Sequence, residues 1–375
     1  MPHASSDVEP EVESLHGTSL SWAFASKSDH SSATVFDLPQ LHSRPAANDL
    51  LATLDLLKLE APSWERGSTV ENGRLASLAN KPQVAPEGVT KYLTSIIASQ
   101  LRWINDDDQK EAIWEEASLR LAERSGRSAM PAMSRSFVIP TGISTFELSI
   151  HEPSLTGDSL GFKTWAASFL LSKRLHTIEL PGARGGYIRA LELGAGTGLV
   201  GMALAAVHGA TVLLTDLAEI EGNLARNVQQ NADVITENGG SAETAVLDWK
   251  RPNEILQPGR SASTSSSFES DDPSIDKFPI IVAADSIYSA EHPPMLMNAI
   301  RTWLAPGPHA RVIMEMPRRD GYGVELEDLK SRMIDLGLHI IKEGEETGYD
   351  DWGGSSEDEL QEVNCWWSIW GWVTA

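Results

Sequence analysis

A chain of 375 residues corresponds, at roughly 150 per domain, to two domains or to one large domain with an extension. Hydrophobic residues at 41% and charged residues at 22% exclude wholesale disorder. Thirty Lys and Arg against 53 Asp and Glu leave a net charge of −23, a field that repels phosphate backbones and anionic bilayers where no basic cluster overrides it. The single cysteine, Cys365, excludes an intramolecular disulfide and a cysteine-based zinc site. No basic segment followed by an apolar run marks a secretory signal. The longest uncharged apolar stretch, residues 193–207, holds four glycines and is too short to span a bilayer. A soluble, cytoplasmic, monomeric protein is expected.

Residues 1 to about 90 are rich in Ser, Pro, Asn and acidic side chains, with short apolar islands such as residues 50–57. The first ~15 cannot bury enough surface to offset the entropy of ordering and are expected to be mobile. Tyr92, Leu93, Ile96 and Ile97 then recur at helical spacing. A second helix is predicted over 108–124, with N-cap candidates in Asp106 to Asp108, an apolar line of Ile113, Ala117 and Leu121, and Gly126 placed to end it. The region 1–134 therefore reads as a helical accessory extension, and 135–375 as the main domain.

Short strands are predicted around a Pro140-Thr-Gly turn, at 136–139 and 146–152. A helix follows over 164–175, after which strands and helices alternate. Strands are expected at 187–193, 210–214, 243–247, 279–284 and 310–316, and helices at 199–207, 219–231, 295–304 and 325–336. Such alternation specifies a doubly wound, mostly parallel α/β sheet covered by helices on both faces. The last two strands, 339–342 and 365–373, have no helix between them and are expected to form an antiparallel edge hairpin, with Trp366, Trp367, Trp370 and Trp372 on its edge strand. Two insertions interrupt the pattern. Residues 258–277 are Ser-rich and read as a flexible, phosphorylatable loop, and residues 344–363, with eight acidic residues and no basic one, read as a solvated hairpin loop.

The strongest signal is Ala190-Leu-Glu-Leu-Gly-Ala-Gly-Thr-Gly-Leu-Val-Gly201. A buried strand ends at Leu193, and glycines at 194, 196 and 198 let the backbone approach a ligand and present amides at a helix N-terminus. Gly196 to Gly201 satisfies the GxGxxG pattern, which many doubly wound proteins carry. Three acidic positions narrow the ligand. Asp216, ending the second strand, can accept both ribose hydroxyls of a nucleoside. Glu192, two residues before Gly194, would repel a pyrophosphate but tolerates a cationic, amino-acid-bearing cofactor. Asp248-Trp249, ending the third strand, can take an adenine amino group and cover the ring. S-adenosylmethionine has adenosine at one end and an amino acid at the other, and fits this set.

These residues also carry a resemblance. LELGAGTG resembles motif I of class I S-adenosylmethionine-dependent methyltransferases. Gly161-Phe-Lys-Thr-Trp165, Asp216, Asp248-Trp249 and Ala284-Asp-Ser-Ile-Tyr288 resemble the seven-strand family 16 lysine methyltransferases over about residues 145–375. The long amino-terminal extension is most similar to that of the fungal enzymes that methylate translation elongation factors. The resemblance implies that Trp165 packs on the cofactor, that Gly194, Ala195 and Gly196 hold its methionine part, and that Asp216 takes the ribose. It places Trp249 at the adenine and Ala284 near the methyl group. Asp285 and Tyr288 match an acidic-x-x-aromatic signature at the substrate side, where Asp285 is expected to orient the amine and Tyr288 to shape the slot for its aliphatic stem.

The implied activity is protein-lysine N-methylation, with an elongation factor as the partner and neither nucleic acid, membrane nor metal. A small-molecule N-methyltransferase of the nicotinamide type and a non-catalytic methyltransferase-fold binding protein are the alternatives. A nucleic-acid amino methyltransferase is disfavoured, because Asp-Ser-Ile-Tyr stands in place of an Asn/Asp-Pro-Pro-aromatic tetrad and His292-Pro-Pro falls several residues too late. Met202, Met295 and Met297 read as core residues, Cys365 as a buried thiol, and the histidines, His151 and His292 included, show no metal-ligand spacing. The acidic segment at 344–363 is expected to flank the substrate entrance and attract a basic, lysine-presenting surface.

Overall fold

The computed structural model describes residues 33–59, 64, 84–125, 131–154, 160–181, 188–256, 277–319, 321–350 and 361–373. The first ~15 residues, nearly all of the Ser-rich segment 258–277 and the proposed helix stop at Gly126 lie outside them. The chain forms two compact units, Met1–Leu59 with Thr69–Ser125 and Glu60–Ser68 with Gly126–Ala375.

The described part of the first unit is helical. Helices α1 (Ala47–Leu56), α2 (Val89–Ala98) and α3 (Asp107–Ala122) enclose a core of Leu50, Leu54, Leu93, Ile96, Leu101 and Ile113. The helical spacing of Leu50 and Leu54, and of Leu93 and Ile96, puts each pair on one stripe of its helix. Asp106 caps α3 through the amides of Asp108 and Gln109, satisfying donors that a helix start leaves unpaired. Tyr92, Trp103 and Trp114 keep their polar atoms paired with the carbonyls of Pro39, Pro45 and Ser99.

The second unit begins with an antiparallel hairpin, β1 (Met133–Pro140) and β2 (Thr145–Glu152), in register from Met133↔Glu152 to Pro140↔Thr145. Its inner face packs Phe137 against Trp64 and Phe169, with ring centroids 5.5 and 5.3 Å away. Buried Glu152 takes Arg135 at 3.2 Å, Lys163 at 2.9 Å and the Thr164 amide at 2.9 Å. That set ties the hairpin to the segment leading into α4 (Ala166–Arg174).

Seven further strands form one sheet. They are β3 (Arg189–Leu193), β4 (Thr211–Asp216), β5 (Ser241–Val246), β6 (Ile280–Ala284), β7 (Arg311–Pro317), β8 (Leu338–Asp350) and β9 (Gln361–Trp372). The order is β5-β4-β3-β6-β7-β9-β8, parallel from β5 to β7, with β9 antiparallel to both its neighbours. The connecting helices are α5 (Leu199–His208), α6 (Ala218–Gln230), α7 (Ala232–Glu237), α8 (His292–Trp303) and α9 (Gly323–Asp335).

Strand alternation divides the apolar residues between the two faces. Ala190, Val212, Leu214, Ile280 and Val282 join one core with α5, whereas Leu191, Leu213, Ile281, Ala283 and Met314 join another with α8 and α9. The mostly parallel, doubly wound architecture is the one the alternating pattern specifies. The direction of winding reverses between β3 and β6, so the carboxyl ends of these adjacent strands open a crevice, which is where ligands bind in such sheets.

Two expectations require correction at the carboxyl end. The tryptophan strand is not the edge, since β9 sits between β7 and β8. The acidic segment 344–363 is not all loop, because β8 and β9 stay paired out to Asp350↔Gln361 and only residues 351–360, outside the described set, separate them. The physical reason lies in two glycines. A Cβ at Gly344 would stand 2.7 Å from the Trp367 ring, and one at Gly348 2.8 Å from Leu170. Their absence of side chain lets an otherwise acidic strand lie flat against bulky neighbours.

Candidate active site

The glycine loop turns out of β3 at the crevice. The amides of Gly194 and Ala195 both donate to the Thr215 carbonyl, at 3.0 and 2.9 Å, and Gly198 donates to Ala195 at 2.8 Å. Gly194, Gly196 and Gly198 have φ of 71°, 56° and 87°, a region that costs other residues strain. Space imposes a second requirement. A Cβ at Gly194 would lie 3.1 Å from Trp249, and one at Gly196 3.2 Å from the Gly161 carbonyl. The loop is held from behind by buried Asn227, which donates to the carbonyls of Thr197 and His151, and by Thr164 and Thr197, whose hydroxyls are 2.9 Å apart.

Asp216 ends β4 beside this loop. Its Oδ2 accepts the Gly196 amide at 2.7 Å and its Oδ1 the Leu217 amide at 2.7 Å. Burial pushes its carboxyl up to about 6, the hydrogen bonds from both amides act the other way, and the nearby Glu219 charge adds to the upward push. Glu192 has a different environment from the one its position in the motif suggests. It is 2% exposed and faces inward, its Oε2 accepting the Gly201 amide in the first turn of α5 at 2.9 Å. Burial, and then the nearby Asp216 charge, hold it well above the usual carboxylate range. It acts on the loop by fixing the helix that follows.

Asp248 follows β5 and accepts the Lys250 amide at 2.9 Å. Its neighbour Trp249 lies over Gly194 and approaches His292 edge-on, with centroids 6.1 Å apart. His292 continues to Tyr288, edge-on at 4.2 Å, and its Nδ1 accepts the Tyr288 amide at 3.3 Å. Burial lowers the His292 pKa, in keeping with a neutral ring whose Nδ1 accepts. Trp249, His292 and Tyr288 thus form a continuous aromatic row along the crevice. Tyr288 is 44% exposed. Burial, followed by the carboxylates of Asp216, Asp285 and Glu219, raises its phenol pKa, so it stays protonated at neutral pH.

Ala284 is the last residue of β6 and is buried. Asp285 follows with φ of 50°, one of few non-glycine residues with a left-handed backbone among those described. Its amide donates to the Glu315 carbonyl of β7 at 3.0 Å. Its carboxylate meets Arg319 in a two-point pair, Nη1 to Oδ1 at 2.9 Å and Nη2 to Oδ2 at 2.8 Å. The same guanidinium lies 5.2 Å from the Trp165 ring centroid. Trp165 is the N-cap of α4 and donates its indole N–H to the Leu160 carbonyl.

The fold therefore brings Gly194, Ala195, Gly196, Asp216, Trp249, Ala284, Asp285 and Tyr288 to the carboxyl edge of the sheet, with Trp165 reaching it through Arg319. Sequence reasoning missed Arg319, His292 and Ser286. Ser286 packs its hydroxyl beside Gly194 and donates to the Ala284 carbonyl at 3.2 Å. A signal for Arg319 was present in Arg318-Arg319, two cations just past the end of a predicted parallel strand in an acidic chain. His292 was noted only as a histidine without metal-ligand spacing and as part of a Pro-Pro tetrad that falls too late, and neither pattern points to its place beside Trp249 and Tyr288.

A seven-stranded sheet with one reversed strand next to its edge, and a glycine loop and acidic strand end at the switch point, defines the class I methyltransferase architecture. The family model described as lysine methyltransferase matches residues 144–327. The protein-lysine N-methyltransferase rrg1 of Schizosaccharomyces pombe is 31% identical over 89% of this chain and 97% of its own length. The protein-lysine N-methyltransferase EFM2 of Saccharomyces cerevisiae is 33% identical over 72% of this chain, which spans 64% of that protein. EEF1A lysine methyltransferase 3 of mouse is 28% identical over 47% of this chain and 66% of its own length. The chain belongs to the lysine methyltransferase family.

Proposed function

We propose that this protein is an S-adenosylmethionine-dependent protein-lysine N-methyltransferase that acts on a translation elongation factor. The observation that carries the reading is the meeting of two sets of residues at one switch point. The glycine loop, Asp216 and Trp249 stand on one side, and Asp285 and Tyr288 stand at the end of the adjoining strand.

Several features of the chain suit the cofactor. Glycines 194 and 196 let the loop pass close to Trp249 and the Gly161 carbonyl, where a Cβ would press on them. Asp216 offers carboxylate oxygens at the end of β4, the position from which an acidic side chain takes ribose hydroxyls. Trp249 offers an indole face for adenine. S-adenosylmethionine supplies an electrophilic methyl group on a sulfonium. The chain's own contribution is to orient, desolvate and present a neutral amine. Asp285 accepts a hydrogen bond from the amine and aims its lone pair, while Tyr288 confines the aliphatic stem. A free lysine ammonium has pKa near 10.4, so its proton leaves to solvent before the N–C bond forms.

The elongation-factor assignment draws on the motif resemblance and on the name of the mouse relative. The decisive test is incubation of the full chain with radiolabelled S-adenosylmethionine and an unmethylated cell lysate. A single labelled band at elongation-factor size, with label on lysine, is expected. Label confined to small molecules, or no transfer despite calorimetric cofactor binding, would sink the proposal.

A further inference from the structure

We propose that Arg319 is a positioning residue for methyl transfer: it fixes Asp285 and offsets its charge, so that the carboxylate can orient the target lysine without locking it as an ammonium. The inference rests on the lysine-methylation reading. It begins from a conflict within that reading. A lone carboxylate within about 4–6 Å of an amine favours the protonated amine by about one to three pH units. An ammonium has no lone pair with which to form the N–C bond, so an uncompensated Asp285 would bind the substrate and impede the reaction together.

The geometry removes the conflict. Arg319 engages both oxygens of Asp285, at 2.9 and 2.8 Å, a two-point ion pair whose opposite charges largely offset one another. Asp285 is 4% exposed against 31% for Arg319, so the carboxylate is the more deeply set partner. The guanidinium carbon also lies 5.2 Å from the Trp165 ring centroid, and lysine cannot reproduce the two-point fork on the carboxylate. Its chain segment is anchored on both sides. The Arg318 amide donates to the Asn364 carbonyl of β9 at 2.7 Å, Arg318 pairs with Glu345 of β8, and the Tyr322 amide donates to the Arg319 carbonyl.

The other described ionisable groups near the pair are held in different arrangements. Glu315 of β7 and Cys365 of β9 are both pushed upward by burial, and remain neutral at physiological pH. Glu346 of β8 is paired with Arg174 of α4. Asp216 and Glu219 act on Tyr288 from the cofactor side. Arg319 is set directly against Asp285, with one guanidinium nitrogen on each carboxylate oxygen.

The test is the pH–rate profile of single-turnover methyl transfer from radiolabelled S-adenosylmethionine to bacterially produced, unmethylated elongation factor. Full-length wild type, Arg319→Gln and Arg319→Lys are compared, with thermal denaturation confirming that each folds. The reaction needs the neutral amine, so rate rises with pH. Arg319→Gln should move this limb upward by about one pH unit or more, a loss of about tenfold or more near neutrality that disappears at high pH. Arg319→Lys keeps the charge without the fork, and should lower the rate while leaving the limb in place. An active wild type whose Arg319→Gln limb does not move overturns this proposal alone, as does a faster Arg319→Gln enzyme, which would mark the guanidinium as a block. A wild type that methylates no protein lysine overturns the activity reading and this proposal with it.

Discussion

Asp285 and Arg319 stand 34 residues apart in sequence and join the carboxyl ends of two neighbouring parallel strands through a forked pair of 2.9 and 2.8 Å. β6 delivers the acid, the segment after β7 delivers the base, and the Asp285 amide binds the Glu315 carbonyl between them. Asp285 holds this pair from a left-handed backbone, with φ of 50°. Backbone of that kind costs a non-glycine residue about 1–3 kcal/mol, and Asp is among the residues that tolerate it best.

Asp285→Asn preserves the size and the backbone tolerance of the residue but removes the charge and half of the acceptor pair. Methyl transfer should fall by about 100-fold, the scale of loss expected when a reacting group is misplaced by about 1 Å. Binding of S-adenosylhomocysteine, measured calorimetrically, should remain near the wild-type value, because the cofactor-side residues are untouched. Equal loss of binding and turnover would show that Asp285 serves the fold of the crevice instead of the amine.

Asp216 predicts a pH dependence for cofactor binding. The ionised carboxylate is the form that accepts ribose hydroxyls, and burial places its pKa at about 6. As pH falls through that value the acid becomes protonated, so affinity should drop by about tenfold for each further pH unit. Above it, affinity should be flat. Calorimetric titration with S-adenosylhomocysteine on both sides of the transition checks this. Asp216→Asn should weaken binding and abolish the slope, and an unchanged slope in that variant would assign it to another group.

The strands were legible because their buried residues alternate. Leu191 and Leu193 fall on one face and Ala190 on the other, with no information needed from outside the segment. The glycine loop and Asp216 were legible because their constraints are local: positive φ, a strand end and a helix start. The direction of Glu192 was not, since it depends on where α5 places the Gly201 amide. The Asp285–Arg319 pair was hidden for a related reason, because it exists only once β6 and β7 lie side by side. At the final hairpin, the run of acidic residues and glycines after Lys342 has no apolar alternation of its own. Its register comes from the tryptophan strand it pairs with.

Gly201 and Gly222 both lie within helices, and helix propensity alone favours Ala at each by about 1 kcal/mol. Packing reverses the sign at one of them. A Cβ at Gly201 would stand 2.3 Å from Glu192 Oε2 and 2.6 Å from Leu214, whereas one at Gly222 meets nothing within 4 Å. Gly201→Ala should therefore be destabilising by about 1–3 kcal/mol from overpacking, with further loss if the buried Glu192 hydrogen bond breaks. Gly222→Ala should be stabilising by up to about 1 kcal/mol. Denaturant unfolding of the two variants gives the comparison, and a shift of the same sign in both would refute the packing argument.

Glu315 makes stability itself pH-dependent. It is fully buried on β7, 3.7 Å from Arg174, which also pairs with Glu346. Burial, reinforced by Glu346 and opposed by Arg174, pushes its carboxyl up to about 9 from an ordinary 4.5. The folded chain therefore holds a proton that the unfolded chain releases. The stability from this site is fully present below the ordinary carboxylate value, and is lost progressively as pH rises toward about 9. Glu315→Gln keeps the volume and stays neutral at every pH. Its stability curve should be flatter than that of the wild type across this window, by a slope of at most about 1.4 kcal/mol per pH unit, with the variant gaining most at the alkaline end. Arg174 retains Glu346 as a counter-charge, so the substitution leaves no isolated buried cation to reverse the trend. Denaturant unfolding at a series of pH values separates the cases, and parallel curves for the two proteins would mean that Glu315 is ionised in the native state.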